Sequence, residues 1–311
     1  RGFQPAWPLQ RWPEIRAVLQ SSSTDGLFPD DYHVDALQQA GDDGSLSDMP
    51  AARQAALDLL LSSGLIRLVY HLEFGKVDPT SLNADWRPQR VIDDQAPLDV
   101  MKALAASPDI AATVDEHRPR HVFYRQMRQA LAKYTAILQA GGWKPVDDGP
   151  ALRPGDSAAR VRQLRDRLAA SGDLTASGAS EEFDAELEAA VRRFQKHHGL
   201  TGDGIVGADT LKALNTPVEA RVAQIRVNLE RARWVLHELD SRYVVVDIAG
   251  FEVVDVQEDG TVWRTRAQVG RPYRSTPVFR SKIDHLVLNP TWTVPPTILR
   301  DDMLPARRKD P

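Results

Sequence analysis

Cysteine occurs nowhere in the 311 residues. Its absence rules out disulfide staples, thiolate zinc sites and thiol nucleophiles within this stretch. It leaves the compartment open, since exported proteins can also lack disulfides. No run of about 18 apolar residues stands out, so nothing is expected to span a membrane. Neither sign of charge dominates: 39 Lys and Arg face 43 Asp and Glu, for a net charge of −4. A phosphate-backbone binder usually carries a basic face, so no nucleic-acid partner is expected. No side-chain spacing suits zinc, and neither metal nor cofactor is expected. Internal repeats and long low-complexity segments are missing too. The chain begins at Arg1 and not at Met. That reads as a processed or trimmed start, compatible with an export signal or a membrane anchor upstream.

What is present suffices for packed cores: 42% of residues are hydrophobic, and the length suggests two domains or three small ones. Residues 1–147 read as a helical domain. Trp7, Trp12, Ile15, Val18 and Leu19 suggest a short amphipathic helix, broken by Ser22, Ser23, Asp25 and Gly26. A loop then leads to a helix over 34–40. Residues 51–74 carry Leu57, Leu59, Leu60, Leu61, Leu65, Ile66, Leu68, Val69 and Leu72, apolar nearly all round, which predicts a buried helix. Further helices are expected over 97–106 and 121–138, the latter with a stripe of Phe123, Met127, Leu131, Tyr134 and Leu138. Trp7, Trp12, Trp86 and Trp143 are expected in the core.

Asp147–Pro150 has linker composition, placing a boundary near 148. Residues 148–217 read as a compact three-helix unit. Ser157 is a candidate N-cap for a helix with Val161, Leu164 and Leu168 at core spacing. A helix over 183–198, a glycine-dense turn and a last helix over 207–214 follow. Residues 218–240 form a connecting helix whose narrow seam (Val222, Ile225, Leu229, Ala232, Leu236) must pack on something. From residue 241 the period changes to two. Val244, Val246 and Ile248 share a face, and Asp259-Gly260 between alternating runs signals a hairpin. The expected fold class is therefore multidomain α + β, ending in the start of a mostly antiparallel sheet.

The motifs LRPGDSAARVRQLRDRL and AVRRFQKHHGLTGDGIVGADTLKAL resemble the bacterial peptidoglycan-binding domain of the first type. In that reading Phe194, Leu200, Ile205, Val206 and Leu211 are fold determinants. The stretches VVVDIAGFEVVDVQEDG, QVGRPYRSTPVF and LVLNPTWTVPPTILRDDMLP resemble the opening of the L,D-transpeptidase (YkuD) catalytic domain. The order of the three parts is similar to that of the large periplasmic murein L,D-transpeptidases of Gram-negative bacteria.

The resemblance implies a periplasmic enzyme whose cysteine thiolate, with a nearby histidine as base, attacks the bond between diaminopimelate and D-alanine in a stem peptide. An amine of a second stem then takes the acyl group. Peptidoglycan stems and glycan are the expected partners, and a monomer is expected. These residues hold no Ser-x-Gly-Cys and no histidine after His285, so no catalytic residue is assigned within them. The expectation is that the sequence stops before the catalytic half of its domain; the alternative is a non-catalytic peptidoglycan-binding scaffold. An amidase or lytic hydrolase would need a carboxylate or zinc constellation of its own, and the sequence offers none.

Three residues are candidates for substrate binding. Trp292, flanked by prolines in NPTWTVPPT, either lines the donor cleft or packs the domain. Arg271 and Arg274 in GRPYRSTP either meet stem carboxylates, which suit a guanidinium fork, or sit on a solvated loop. His285 reads as a structural or surface histidine. His197 and His198 lie at a helix C-terminus, where a cation suits the macrodipole.

Overall fold

The computed structural model describes residues 5–42, 49–82, 96–175, 178–237, 239–271 and 274–309. Trp86 and the polar stretch around it lie outside these. Residues 1–278 and 279–311 form two separate compact units.

In the first unit the helices are α1 (Trp12–Gln20), α2 (Val34–Asp42), α3 (Ala51–Phe74), the single turn α4 (Pro79–Leu82), α5 (Ala96–Ala106), α6 (Ile110–Asp115) and α7 (Val122–Gln139). They are followed by α8 (Ala159–Ser171), α9 (Ala185–His197), α10 (Ala208–Leu214) and α11 (Val218–Val235). Three antiparallel strands, β1 (Tyr243–Asp247), β2 (Glu252–Val256) and β3 (Val262–Arg266), pair in the order β1-β2-β3.

The N-terminal core gathers Trp7, Trp12, Ile15, Leu19, Tyr32, Leu61, Leu65, Leu68, Leu72 and Ile110, all buried. By length and composition α3 could cross a membrane, contrary to the expectation that no segment is apolar enough to do so. Here its Leu57, Leu61, Leu65, Leu68 and Leu72 face the core, and its buried Asp58 accepts the backbone N–H groups of Ala6 and Trp7 at 3.0 and 2.9 Å. Burial is not all round, however: Leu59 is exposed. Gly64 sits mid-helix, where glycine costs roughly 1 kcal/mol. A Cβ there would lie 2.8 Å from the Tyr32 carbonyl oxygen and 3.0 Å from Leu19 Cδ1, so glycine permits this close crossing.

At the C-terminal end of α3, the Tyr32 hydroxyl lies 2.9 Å from His71 Nδ1. Burial, the largest influence, pushes the imidazole from 6.5 down to about 4. The unfolded chain therefore binds a proton in this window that the folded chain refuses, and stability falls as pH drops from 6.5 toward 4. At ~1.4 kcal/mol per pH unit the ceiling is about 3 kcal/mol; partial solvent contact trims it to about 2 kcal/mol. Urea unfolding at pH 7.0 and 4.5 checks this: His71→Gln should lose less stability between the two than the parent. Equal losses would contradict it.

The three-helix unit has its own core of Val161, Leu164, Leu168, Phe183, Leu187, Val191, Phe194, Val206 and Leu214. Leu200, Ile205 and Leu211 are only half-buried. Ser157 does not cap α8. Ala158 holds the cap position without a side-chain bond, and Ser157 instead pairs with Glu182 as an isolated bridge.

The chain enters and leaves this unit at one place. Asn215 accepts the Val146 N–H at 2.9 Å and donates to the Val146 carbonyl at 2.8 Å. Trp143 Nε1 donates to the Thr216 carbonyl at 3.1 Å. Arg167, almost fully buried, lies 3.7 Å over the Trp143 ring and donates to the Leu214 carbonyl at 2.7 Å. Burial holds its pKa down at about 10.

Beyond the neck, α11 returns to the N-terminal helices. Leu229 and Ala232 are buried with Tyr124 and Leu131 of α7, and Met127, Val222, Ile225 and Leu236 flank them. The seam read from the sequence thus meets α7, and in space the three-helix unit is an excursion between α7 and α11. The stripe of α7 is displaced from the expected one: Tyr124 is buried and Phe123 is exposed.

Candidate functional site

Two features around α11 and the sheet bear on function. The first joins the N-terminal helices to α11. Asp25 is fully buried. Its Oδ2 accepts Arg118 Nε at 2.9 Å, and its Oδ1 accepts the Tyr124 hydroxyl at 3.0 Å and lies 3.1 Å from Arg128 Nε. Its backbone oxygen accepts Arg233 Nη1 at 2.9 Å. Arg233 is paired with Glu230, which also accepts the Val77 N–H at 2.9 Å and Trp234 Nε1 at 3.2 Å.

Burial by itself would lower the pKa of these cations. In Arg118 it is outweighed by the charge of Asp25, and in Arg233 by Tyr124 and Glu230, so both end above the ordinary guanidinium value. Burial, first among the causes, drives the Tyr124 phenol up. Gly75 allows the approach of α11, since a Cβ there would stand 2.3 Å from Trp234 Nε1.

The second feature is the sheet and its loops. Asp247 Oδ1 accepts the N–H groups of Ala249 and Gly250 at 3.1 and 2.9 Å, which closes the first turn. Asp259 does the same for Thr261 at 2.8 Å, with Gly260 at φ 82°. Tyr243 of β1 is tied to α7: its hydroxyl lies 2.7 Å from His121 Nε2. His121 Nδ1 accepts the Phe123 N–H as the helix cap, so Nε2 carries the proton and donates to Tyr243.

Arg271 and Arg274 face each other across a two-bond backbone bridge, Arg271 N–H to Arg274 O at 3.1 Å and Arg274 N–H to Arg271 O at 2.8 Å. Residues directly opposite on such a bridge present their side chains on one face. Gly270 donates to Thr276 Oγ1 at 2.7 Å, and a Cβ there would stand 2.2 Å from the Arg274 carbonyl oxygen. Only glycine fits this turn.

Trp292 belongs to the second unit, outside any helix or strand, and is 69% exposed. His285 in the same unit is exposed and bonded to its neighbour Asp284. His198 stacks on Phe194 at 4.0 Å and bonds the Phe194 carbonyl at 2.8 Å; His197 lies 3.2 Å from Asp173. The structure therefore gathers the two arginines, and gives both helix-end histidines local structural partners. Among the described residues no group of His, Asp and Glu could hold a metal ion.

Comparison with known proteins divides the chain in three. Residues 1–131 match a family described as "Scaffold domain", residues 157–214 one described as "Putative peptidoglycan binding domain", and residues 241–311 the "L,D-transpeptidase catalytic domain". The mycobacterial "N-acetylmuramoyl-L-alanine amidase CwlM" is 49% identical over 77 residues, 22% of this chain and 19% of that protein. The "Putative L,D-transpeptidase" of Haemophilus influenzae is 27% identical over 117 residues, 36% of this chain and 24% of that protein. The "N-acetylmuramoyl-L-alanine amidase CwlL" of Bacillus licheniformis is 40% identical over 67 residues, 21% of this chain and 19% of that protein. The chain thus spans under a quarter of the length of these curated relatives. It carries a peptidoglycan-binding domain and, after it, a YkuD L,D-transpeptidase catalytic domain.

Proposed function

We propose that the protein is a peptidoglycan L,D-transpeptidase of the Gram-negative periplasm. The observation that carries this reading is the match of residues 241–311 to the catalytic domain, on the segment where the antiparallel sheet and the glycine-pinned arginine turn occur. In the reaction a cysteine thiolate adds to the carbonyl of diaminopimelate at its bond to D-alanine. The C–N bond breaks, D-alanine leaves with the proton, and a thioester remains. The amine of a second stem attacks the thioester, releasing the thiol and leaving an amide between two diaminopimelate residues. These 311 residues hold no cysteine, so this reading places the nucleophile, and the histidine that serves it, outside them.

Within them Arg271 and Arg274 receive a stem carboxylate; Trp292, in the other unit, is a separate candidate for peptide contact. Replacing both arginines by alanine should raise KM about tenfold with kcat little changed, the pattern of lost uniform binding. A fall in kcat at constant KM would refute that role. The whole gene product incubated with disaccharide-tetrapeptide tests the function itself: D-alanine release is expected, and its absence contradicts the reading. The second reading is a non-catalytic scaffold that docks peptidoglycan through residues 148–217, supported by the match of residues 157–214 to a putative peptidoglycan-binding domain. It predicts retention on purified sacculi without D-alanine release.

A further inference from the structure

Between α1, α6 and α7 two adjoining hollows of about 380 and 310 Å³ share Asp115, Arg118 and Arg128 as walls. Arg120 and Arg125 line the second hollow and are exposed. On the floor, the guanidinium groups of Arg118 and Arg128 share the one buried carboxylate of Asp25, and Arg128 Nη2 also donates to Thr24 Oγ1 at 2.9 Å. The buried Nε of Arg128 has no well-directed hydrogen-bond partner. Asp115 takes one nitrogen of Arg118 at 2.8 Å but is itself exposed. Among the described residues Arg120 and Arg125 have no acidic partner. The nearest restraint on Arg125 is its bond to the Arg120 carbonyl at 2.7 Å.

Four guanidinium groups converging on a cleft suit a carboxylate, which they can grip by paired charge-assisted bonds. The rim also carries Asp115 and Glu116. These would repel a multiply charged phosphate and favour a ligand bearing an amine beside its carboxylate. A peptidoglycan stem peptide ends in such groups. We propose that this cleft binds the free carboxylate end of a stem peptide, a substrate contact on the N-terminal helices separate from both matched cell-wall domains. The choice of ligand rests on the function proposed above.

The probe is disaccharide-tetrapeptide, titrated into the 311-residue chain while the side-chain Nε–Hε signals of the arginines are followed by NMR. Saturable shifts are expected at Arg120 and Arg125. Binding at this site should weaken at least about tenfold for the same muropeptide with its carboxylates amidated, and by a similar factor in Arg120→Glu/Arg125→Glu. Both residues are exposed, so the double variant should keep the parent's melting temperature; should it not fold, the amidated probe decides. Unmoved arginine signals, or equal binding of the amidated probe, overturn the proposal. D-alanine release by the whole gene product is read separately. Release without arginine shifts sinks only the cleft, and shifts without release sink only the transpeptidase.

Discussion

Replacing Asp25 by alanine should destabilise the N-terminal helices and α11 together by about 3–5 kcal/mol, the usual cost of removing one partner from a buried ion pair. The expected size follows from what is left behind. Arg118 Nε and Arg128 Nε, 2.9 and 3.1 Å from the carboxylate, would lie beside one another with no anion between them. The buried Tyr124 hydroxyl would lose its acceptor at 3.0 Å. Asp25→Asn keeps an acceptor oxygen of nearly the same shape and should lose less, since it removes charge but leaves no void. Denaturant midpoints for the two variants, with the fluorescence of Trp234 as a local probe of α11, measure both effects. A loss below about 1 kcal/mol for the alanine variant would mean a solvated, weakly coupled carboxylate.

Gln195→Leu should remove about 2–4 kcal/mol from the three-helix unit, because four backbone and side-chain groups lose one shared partner. The Gln195 side chain is buried. The two hydrogens of its Nε2 are shared among Asp203 Oδ1 at 2.7 Å, the Ile205 carbonyl at 2.9 Å and Thr210 Oγ1 at 3.1 Å; its Oε1 accepts the Gly204 N–H at 2.9 Å. The turn it organises includes Gly204 at φ 78°, a left-handed conformation natural to glycine. The Ile205 N–H, then the Gln195 amide, hold Asp203 below the usual carboxylate range. Leucine is similar in size but satisfies none of these groups. Thermal unfolding of the variant, and loss of its retention on sacculi, would report the damage. Unchanged melting with unchanged retention would show that the glycines alone shape the turn.

The contrast between these two hubs shows what was legible in the sequence. Gln195 and its turn lie within fifteen residues of each other, inside a motif that resembles a known domain. Asp25 lies in a Ser-rich run that reads as a helix break. Its partners stand 93, 99 and 208 positions away, and no local pattern links them. The same network accounts for the displaced stripe of α7. Adjacent Phe123 and Tyr124 serve an apolar face about equally well, and what selects Tyr124 is its hydroxyl's bond to Asp25. Helix α6, at six residues, holds too little periodicity to be read from the sequence. Its one local signal was Asp109, whose side chain accepts the Ala112 N–H at 2.9 Å as an N-cap.

The strands were legible because β-branched residues alternate from Tyr243 onward and Asp-Gly marks the second turn. The pinning of the arginine loop was less so. Gly270 reads as one more loop glycine until the Arg274 carbonyl is seen against it. The path of the chain around the three-helix unit was also hidden. A linear sequence places a connecting helix after that unit, while the packing of Leu229 and Ala232 on Tyr124 and Leu131 returns it to the scaffold. The peptidoglycan-binding unit is thus entered and left at one neck, at the N-terminal end of α11, whereas β1 follows the other end of that helix.

The most direct test of the proposed function is the intact mass of the whole gene product after exposure to a carbapenem. One covalent adduct is predicted, attached through a thioester to a cysteine outside these 311 residues and lost when that cysteine is replaced by alanine. A protein that stays unmodified, or whose adduct maps within these residues, would contradict the transpeptidase reading.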